Sequence, residues 1–246
     1  MNIITSKANN VVKKAKKLHH KKYRKDSYLI EGWHLFEEAV SSGAELIRIF
    51  ALAEYAERLA DFSQVIFVSP EILADLADSK TPQGIVAEVA FEREEIPAEL
   101  SGRYLFLEDV QDPGNVGTII RTADAAGFDG VFISSASADI YNLKTLRSMQ
   151  GSHFHLPVYR IDTADFIRLA QSSSLPILAS TLSSTSIDYR EVDSKERFAL
   201  VMGNEGQGIS PEMTAAADVL VHISMKGQAE SLNVAVAAGI LIFHLS

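Results

Sequence analysis

Hydrophobic and polar positions alternate along this chain in two periods. Short, nearly continuous apolar runs at 46–52, 65–69, 84–90, 104–110, 130–134, 176–181, 198–202 and 219–224 read as strands, several of them covered on both faces. Between them apolar residues recur at helical spacing. Trp33, Phe36, Ala39 and Val40 form one stripe that stops at Gly43, and Val116, Ile119, Ile120 and Ala123 form another ahead of Gly127. Ser210 followed by Pro211 has the form of an N-cap and first helical residue. Residues 232–245 are apolar nearly all round, which predicts a helix buried in a core or against a second subunit. That run is too short to span a bilayer, which takes about 20 residues. Strands alternating with helices predict an α/β architecture. The charged stretch 91–101, which contains Pro97, interrupts the pattern and divides the chain into predicted domains 1–95 and 101–246.

Charge changes this picture in one place. The net charge is −9, which by itself argues against a nucleic-acid partner. Residues 1–25, however, hold eight lysines and Arg24 with no acid, a local +9 that leaves −18 on the remainder. A basic arm on an acidic body points to phosphate attraction, with Lys13, Lys14, Lys16 and Lys17 as candidate RNA contacts. A solvated helix face is the plainer reading of the same lysines. The absence of cysteine excludes disulfides and thiolate-held metals, and no signal-peptide run opens the chain, so a cytoplasmic location is expected.

Candidate chemistry lies in three segments of the second half. In 107–127 a strand breaks at Pro113-Gly114 and enters a helix, with Asn115 where an N-cap would sit and Arg121 opposite the apolar stripe. In 200–210 a strand runs into a loop whose Gly203, Gly206 and Gly208 allow close backbone approach and supply open amides. In 219–239 a strand, a loop and the apolar helix follow one another, with Ser231 as candidate cap and Asn233 beside it. Taken singly, capping and solvated-surface roles explain Asn115, Arg121, Ser231 and Asn233. The glycine spacing matches neither the dinucleotide fingerprint nor the phosphate-binding loop, which disfavours a nicotinamide enzyme.

Together the segments resemble the motifs of the SpoU (TrmH-like) family of RNA ribose 2′-O-methyltransferases, a branch of the SPOUT superfamily. The match runs through Asn115, Gly117, Arg121 and Ala123, then Gly203, Glu205, Gly206 and Gly208, then Ser231, Leu232, Asn233 and Val234. Residues 143–158, with Arg147, Ser148, Gly151, Phe154 and Pro157, resemble a family segment between the first two motifs. Glu31-Gly32 and Pro82-Gln83-Gly84 resemble the small substrate-binding domain ahead of many members. Ser224 and Ala235 stand where the family usually has proline and often serine, and many members continue further.

The resemblance implies a parallel-sheet domain with a deep trefoil knot, preceded by a small α/β substrate-binding domain. It implies S-adenosylmethionine as cofactor, held near Gly203, Asn204, Gly208, Ile223, Met225 and Leu232, with no metal. Arg121 would bind the 2′-oxygen or the adjacent phosphate, Asn115 would hold Arg121 or the ribose, Glu205 would orient Arg121 or pair with it, and Ser231 and Asn233 would complete the site. Arg147 would touch phosphate or form a structural ion pair. The implied partners are RNA, large-subunit ribosomal RNA ahead of transfer RNA, and a second copy of the chain, with no membrane. An inactive RNA-binding member is the alternative, against which intact Asn115, Arg121, Glu205 and Asn233 argue.

Overall fold

Asn9 starts the first helix, its side chain accepting the Val11 amide at 2.8 Å, and the computed structural model describes residues 2–92 and 95–246 of the chain. Arg93 and Glu94, inside the predicted boundary, lie outside the described residues. In chain order the first part comprises β1 (Ile3–Ile4), α1 (Asn10–Lys17), β2 (Ser27–Glu31), α2 (Trp33–Ser41), β3 (Leu46–Ala51), β4 (Val65–Val68), α3 (Pro70–Leu76) and β5 (Ile85–Ala90). Then come β6 (Arg103–Leu107), α4 (Pro113–Ala125), β7 (Gly130–Ile133), α5 (Leu143–Met149) and β8 (Val158–Arg160). The chain finishes with α6 (Thr163–Ser172), β9 (Ile177–Ser180), β10 (Ile187–Asp188), β11 (Phe198–Met202), α7 (Pro211–Ala216), β12 (Val219–His222) and α8 (Val234–Leu245).

The first compact unit joins residues 2–92 to Asp139–Phe154. Its mixed sheet runs β1-β4-β3-β5-β2, with β5 antiparallel to both neighbours. The second stretch was expected in the other domain, but its side chains pack on the first. Tyr141 meets Tyr28 at 4.6 Å and Phe91 at 4.5 Å, Tyr28 Oη bonds His153 Nε2 at 3.0 Å, and Arg24 pairs with Asp139. Burial pushes the Tyr28 phenol well above its ordinary value. On α2 the buried face is Leu35, Phe36 and Ala39, whereas Val40, expected on that stripe, is exposed.

The second unit holds a seven-stranded parallel sheet ordered β10-β12-β9-β11-β6-β7-β8. Strands β6, β7 and β11 are buried at every position or nearly so, as continuous apolar runs require. On one face Tyr104, Phe106 and Phe132 pack with Phe166 of α6 and Met213 of α7, and Phe106 stacks on Phe166 at 4.2 Å. Helices α4 and α8 pack on each other and reach β7 and β11. The two-residue strands β1 and β10 and the three-residue β8 are too short to stand out in the apolar pattern, and β2 carries only Tyr28, Leu29 and Ile30 between the polar Ser27 and Glu31. No helix among the described residues is long and apolar enough to cross a membrane.

Candidate active site

The three candidate segments meet through one chain of side-chain hydrogen bonds. Asn233 Nδ2 donates to Asn115 Oδ1 at 3.0 Å, and Asn115 Nδ2 donates to Glu205 Oε1 at 3.1 Å. The Glu205 carboxylate also accepts the amides of Gln111 and Asp112, each at 3.2 Å. Burial pushes the Glu205 carboxyl up. Hydrogen bonds from Asn115 and from the amides of Glu205 itself, Gln111 and Asp112 outweigh it and hold the group below its ordinary value.

Of the expected caps, Asn115 and Ser231 do not sit where spacing placed them. Asp112 caps α4, its side chain accepting the Asn115 backbone amide at 3.0 Å, with Pro113 in the first helical position. Asp112-Pro113 is the same signature as Ser210-Pro211, whose Ser210 Oγ does cap α7 on the Met213 amide at 3.0 Å. This displaces Asn115 into the first turn and frees its side-chain amide for the relay. Asn233, not Ser231, caps α8, accepting Ala235 N at 2.9 Å and Val236 N at 3.3 Å on its oxygen. Its nitrogen is then left to reach Asn115.

The glycine loop is shaped by Asn204. Its Oδ1 takes the Gly206 and Gln207 amides at 2.9 and 3.0 Å, and its Nδ2 donates to the Asp109 carbonyl at 2.8 Å. The amides expected to face a ligand are therefore turned inward. Gly203 is required by packing, since a Cβ there would lie 2.3 Å from the Gly208 backbone, and Gly208 has φ of 72°.

Beside this relay a cavity of about 470 Å³ opens at the carboxyl ends of β9 and β12. Ile223, Met225 and Leu232 line it together with Ser231, whereas Gly203, Asn204 and Gly208 do not. His222, Ser224, Glu230, Ser180 and Thr181 also line it and were not picked out from sequence. Ser224, where the resemblance expects proline, holds the turn by hydrogen bonds to His222 Nε2 at 3.3 Å and to Asp188. The Asp188 carboxyl is held well below the usual range, first by its hydrogen bond from Arg190 and then by Ser224. A crevice at the carboxyl ends of parallel strands, apolar with a few polar groups, suits a small organic ligand.

Arg121 stands on the solvent side of α4, about 9 Å along the axis from Asn115. Among the described residues it has no hydrogen-bond or ion-pair partner, so Glu205 holds Asn115 and not Arg121. In the first unit Arg147 pairs with Asp78 at 2.7 Å and Glu31 at 3.5 Å. A phosphate there would compete with two carboxylates. Lys13, Lys14 and Lys17 are exposed on α1, while Lys16 is drawn to Asp75 at 2.7 Å. With Asn10 and His20 these lysines line a groove of about 510 Å³.

The family description "SpoU rRNA Methylase family" matches residues 102–243, and "MRM3-like substrate binding domain" matches residues 9–87. The chain is 40% identical, over 100% of its own length and 99% of the other's, to the 23S rRNA (guanosine(2553)-2′-O)-methyltransferase RlmP of Bacillus subtilis (strain 168). An AdoMet-bound rRNA methyltransferase from Sinorhizobium meliloti superposes with a TM-score of 0.90 at 32% identity, covering 99% of this chain and 97% of that one. The SpoU methyltransferase AviRb from Streptomyces viridochromogenes, in complex with AdoMet, gives a TM-score of 0.84 at 27% identity over 96% and 97%. The chain belongs to the SpoU rRNA methylase family of S-adenosylmethionine-dependent RNA methyltransferases.

Proposed function

We propose that the chain methylates a ribose 2′-hydroxyl of large-subunit ribosomal RNA, with S-adenosylmethionine seated in the cavity lined by Ile223, Met225, Ser231 and Leu232. The observation that carries this reading is the Asn233–Asn115–Glu205 relay, which draws all three motifs to the edge of that cavity. Bound cofactor supplies a methyl group already activated on a sulfonium. The protein's remaining task is to hold the ribose and stabilise charge on its oxygen. Arg121, unpaired among the described residues and on the solvent side of α4, is the group available to bind that oxygen or the adjacent phosphate. Glu205 is a poor proton acceptor, because its lone pairs are taken and its acidity is raised. Its part is to fix Asn115.

Ribosomal RNA is favoured over transfer RNA because both units match, end to end, proteins named for 23S rRNA or rRNA. The α1 lysines give the first unit its RNA affinity in this reading. A homodimer through α8 is part of the same proposal. Val236 and Phe243 are 53% and 61% exposed, one heptad apart on a helix with no charged residue except what His244 can carry. The trefoil knot and a cytoplasmic location belong to this reading too. Mapping 2′-O-methylation across total RNA with and without the gene tests it. Loss of one large-subunit signal is the expected result, and an unchanged ribosomal map with a missing transfer-RNA signal would replace the substrate.

A further inference from the structure

The walls of the cofactor cavity are nearly neutral. Ser180, Thr181, Ser224 and Ser231 offer hydroxyls, and the other lining residues but two are apolar. One exception, His222, is engaged at both ring nitrogens, by Ser186 Oγ at 3.0 Å and Ser224 Oγ at 3.3 Å. Behind it Asp188 is cancelled at source, since Arg190 grips its carboxylate at 2.7 and 2.9 Å. The second exception is Glu230. It is exposed, has no ion pair or hydrogen bond among the described residues, and the nearby loop cation Lys226 is not among the lining side chains. Glu230 is thus the uncompensated full charge on the wall.

Methyl transfer changes the charge of what this wall faces. With cofactor bound, the carbon–sulfur bond would break with its electron pair going to sulfur, a carbon–oxygen bond would form to the ribose, and the hydroxyl proton would pass to water. The cofactor thereby loses one positive charge. We propose that Glu230 reads that charge: it holds the cationic, methyl-bearing cofactor more tightly than the neutral thioether product, and so drives exchange of spent for fresh cofactor. A carboxylate that stabilises the sulfonium also opposes its discharge, so the gain from Glu230 lies in cofactor affinity and not in a faster chemical step. This rests on the cavity being the cofactor's.

Calorimetric titration of the full chain with S-adenosylmethionine, S-adenosylhomocysteine and sinefungin tests it. Sinefungin carries an amine cation in place of the methylsulfonium. Glu230→Gln should weaken S-adenosylmethionine and sinefungin on the order of fivefold, as one partly screened charge pair allows, and leave S-adenosylhomocysteine within about twofold. Glu230→Asp keeps the charge and should retain most of the preference. High salt should compress the preference in the native protein and leave Glu230→Gln unmoved. Equal weakening of all three ligands, or of none, overturns the proposal while leaving the cavity assignment intact. A native protein that binds none of them overturns both.

Discussion

Asn115 uses both ends of its amide, one to Asn233 and one to Glu205, and Arg121, six residues further along α4, bonds to none of the three. In the proposed function Arg121 finds its partner on the RNA. Arg121→Ala should fold and bind S-adenosylmethionine like the native protein, while methyl transfer drops at least about a hundredfold, the effect of removing one preorganised donor. Arg121→Lys, without the planar fork, should recover little of it. Native turnover in Arg121→Ala would remove Arg121 from the mechanism. Glu205 gives a separate signature, in stability. Its folded-state carboxyl lies below its unfolded value, so its contribution is complete above the ordinary carboxylate range and disappears as pH falls through the lowered value. Glu205→Gln should lower the melting temperature at neutral pH, and the difference should close as pH falls through the lowered value of the folded carboxyl. A pH-independent difference would show that shape, not charge, matters there. The residue types at these positions were legible in the sequence, but their roles were shifted. Spacing put Asn115 and Ser231 at caps, and the Asp-Pro signature and the amide of Asn233 took those places. Which of several neighbouring polar residues caps a helix depends on where the preceding strand lets the helix begin, and periodicity does not fix that to a residue.

At the scale of elements, the long apolar strands and the helical stripes of α2, α4 and α8 needed only their own periodicity to be seen. Strands β1, β2, β8 and β10 carry too short an apolar run for that. The assignment of 139–154 lay further out of reach, because nothing local says that a segment between catalytic motifs packs with the N-terminal unit. The packing has a consequence for truncation. A fragment spanning 96–246 would leave Leu143, Leu146 and Met149 without the first unit that buries them. Such a fragment should bind a hydrophobic dye and associate nonspecifically in light scattering. A monodisperse, dye-silent fragment would show that 139–154 folds without the first unit. Helix α8 makes the opposite case, being apolar where it is exposed. Phe243→Glu should leave melting little changed yet convert the proposed dimer to monomer at micromolar concentration, because a charge in an apolar interface must be desolvated. A native protein that is already monomeric and fully active would remove the dimer from the proposed function.

For the whole molecule, an acidic body with a basic N-terminal segment poses the question of which cations are free to meet phosphate. The structure divides them. Lys7 and Lys16 converge on Asp75 at 3.7 and 2.7 Å, and the hydrogen bond from Lys16 is the largest influence holding that carboxyl down. Arg24 is buried, 4% exposed at its side chain, and ties 139–154 to the N-terminal segment through Asp139. Lys13, Lys14 and Lys17 remain exposed around the groove. Replacing these three by alanine should weaken RNA binding at low salt and flatten the dependence of log affinity on log salt by about two to three, roughly one for each phosphate no longer neutralised. The affinity for S-adenosylmethionine and the melting temperature should stay put. Lys16→Ala should move the salt slope less than any of the three, since its charge is shared with Asp75. Arg24→Ala should act differently again, lowering stability by taking the ion-pair partner from a half-buried Asp139, with no salt signature of its own. An unchanged salt slope in the triple variant would mean that the lysines form a solvated face, and that RNA enters by another surface.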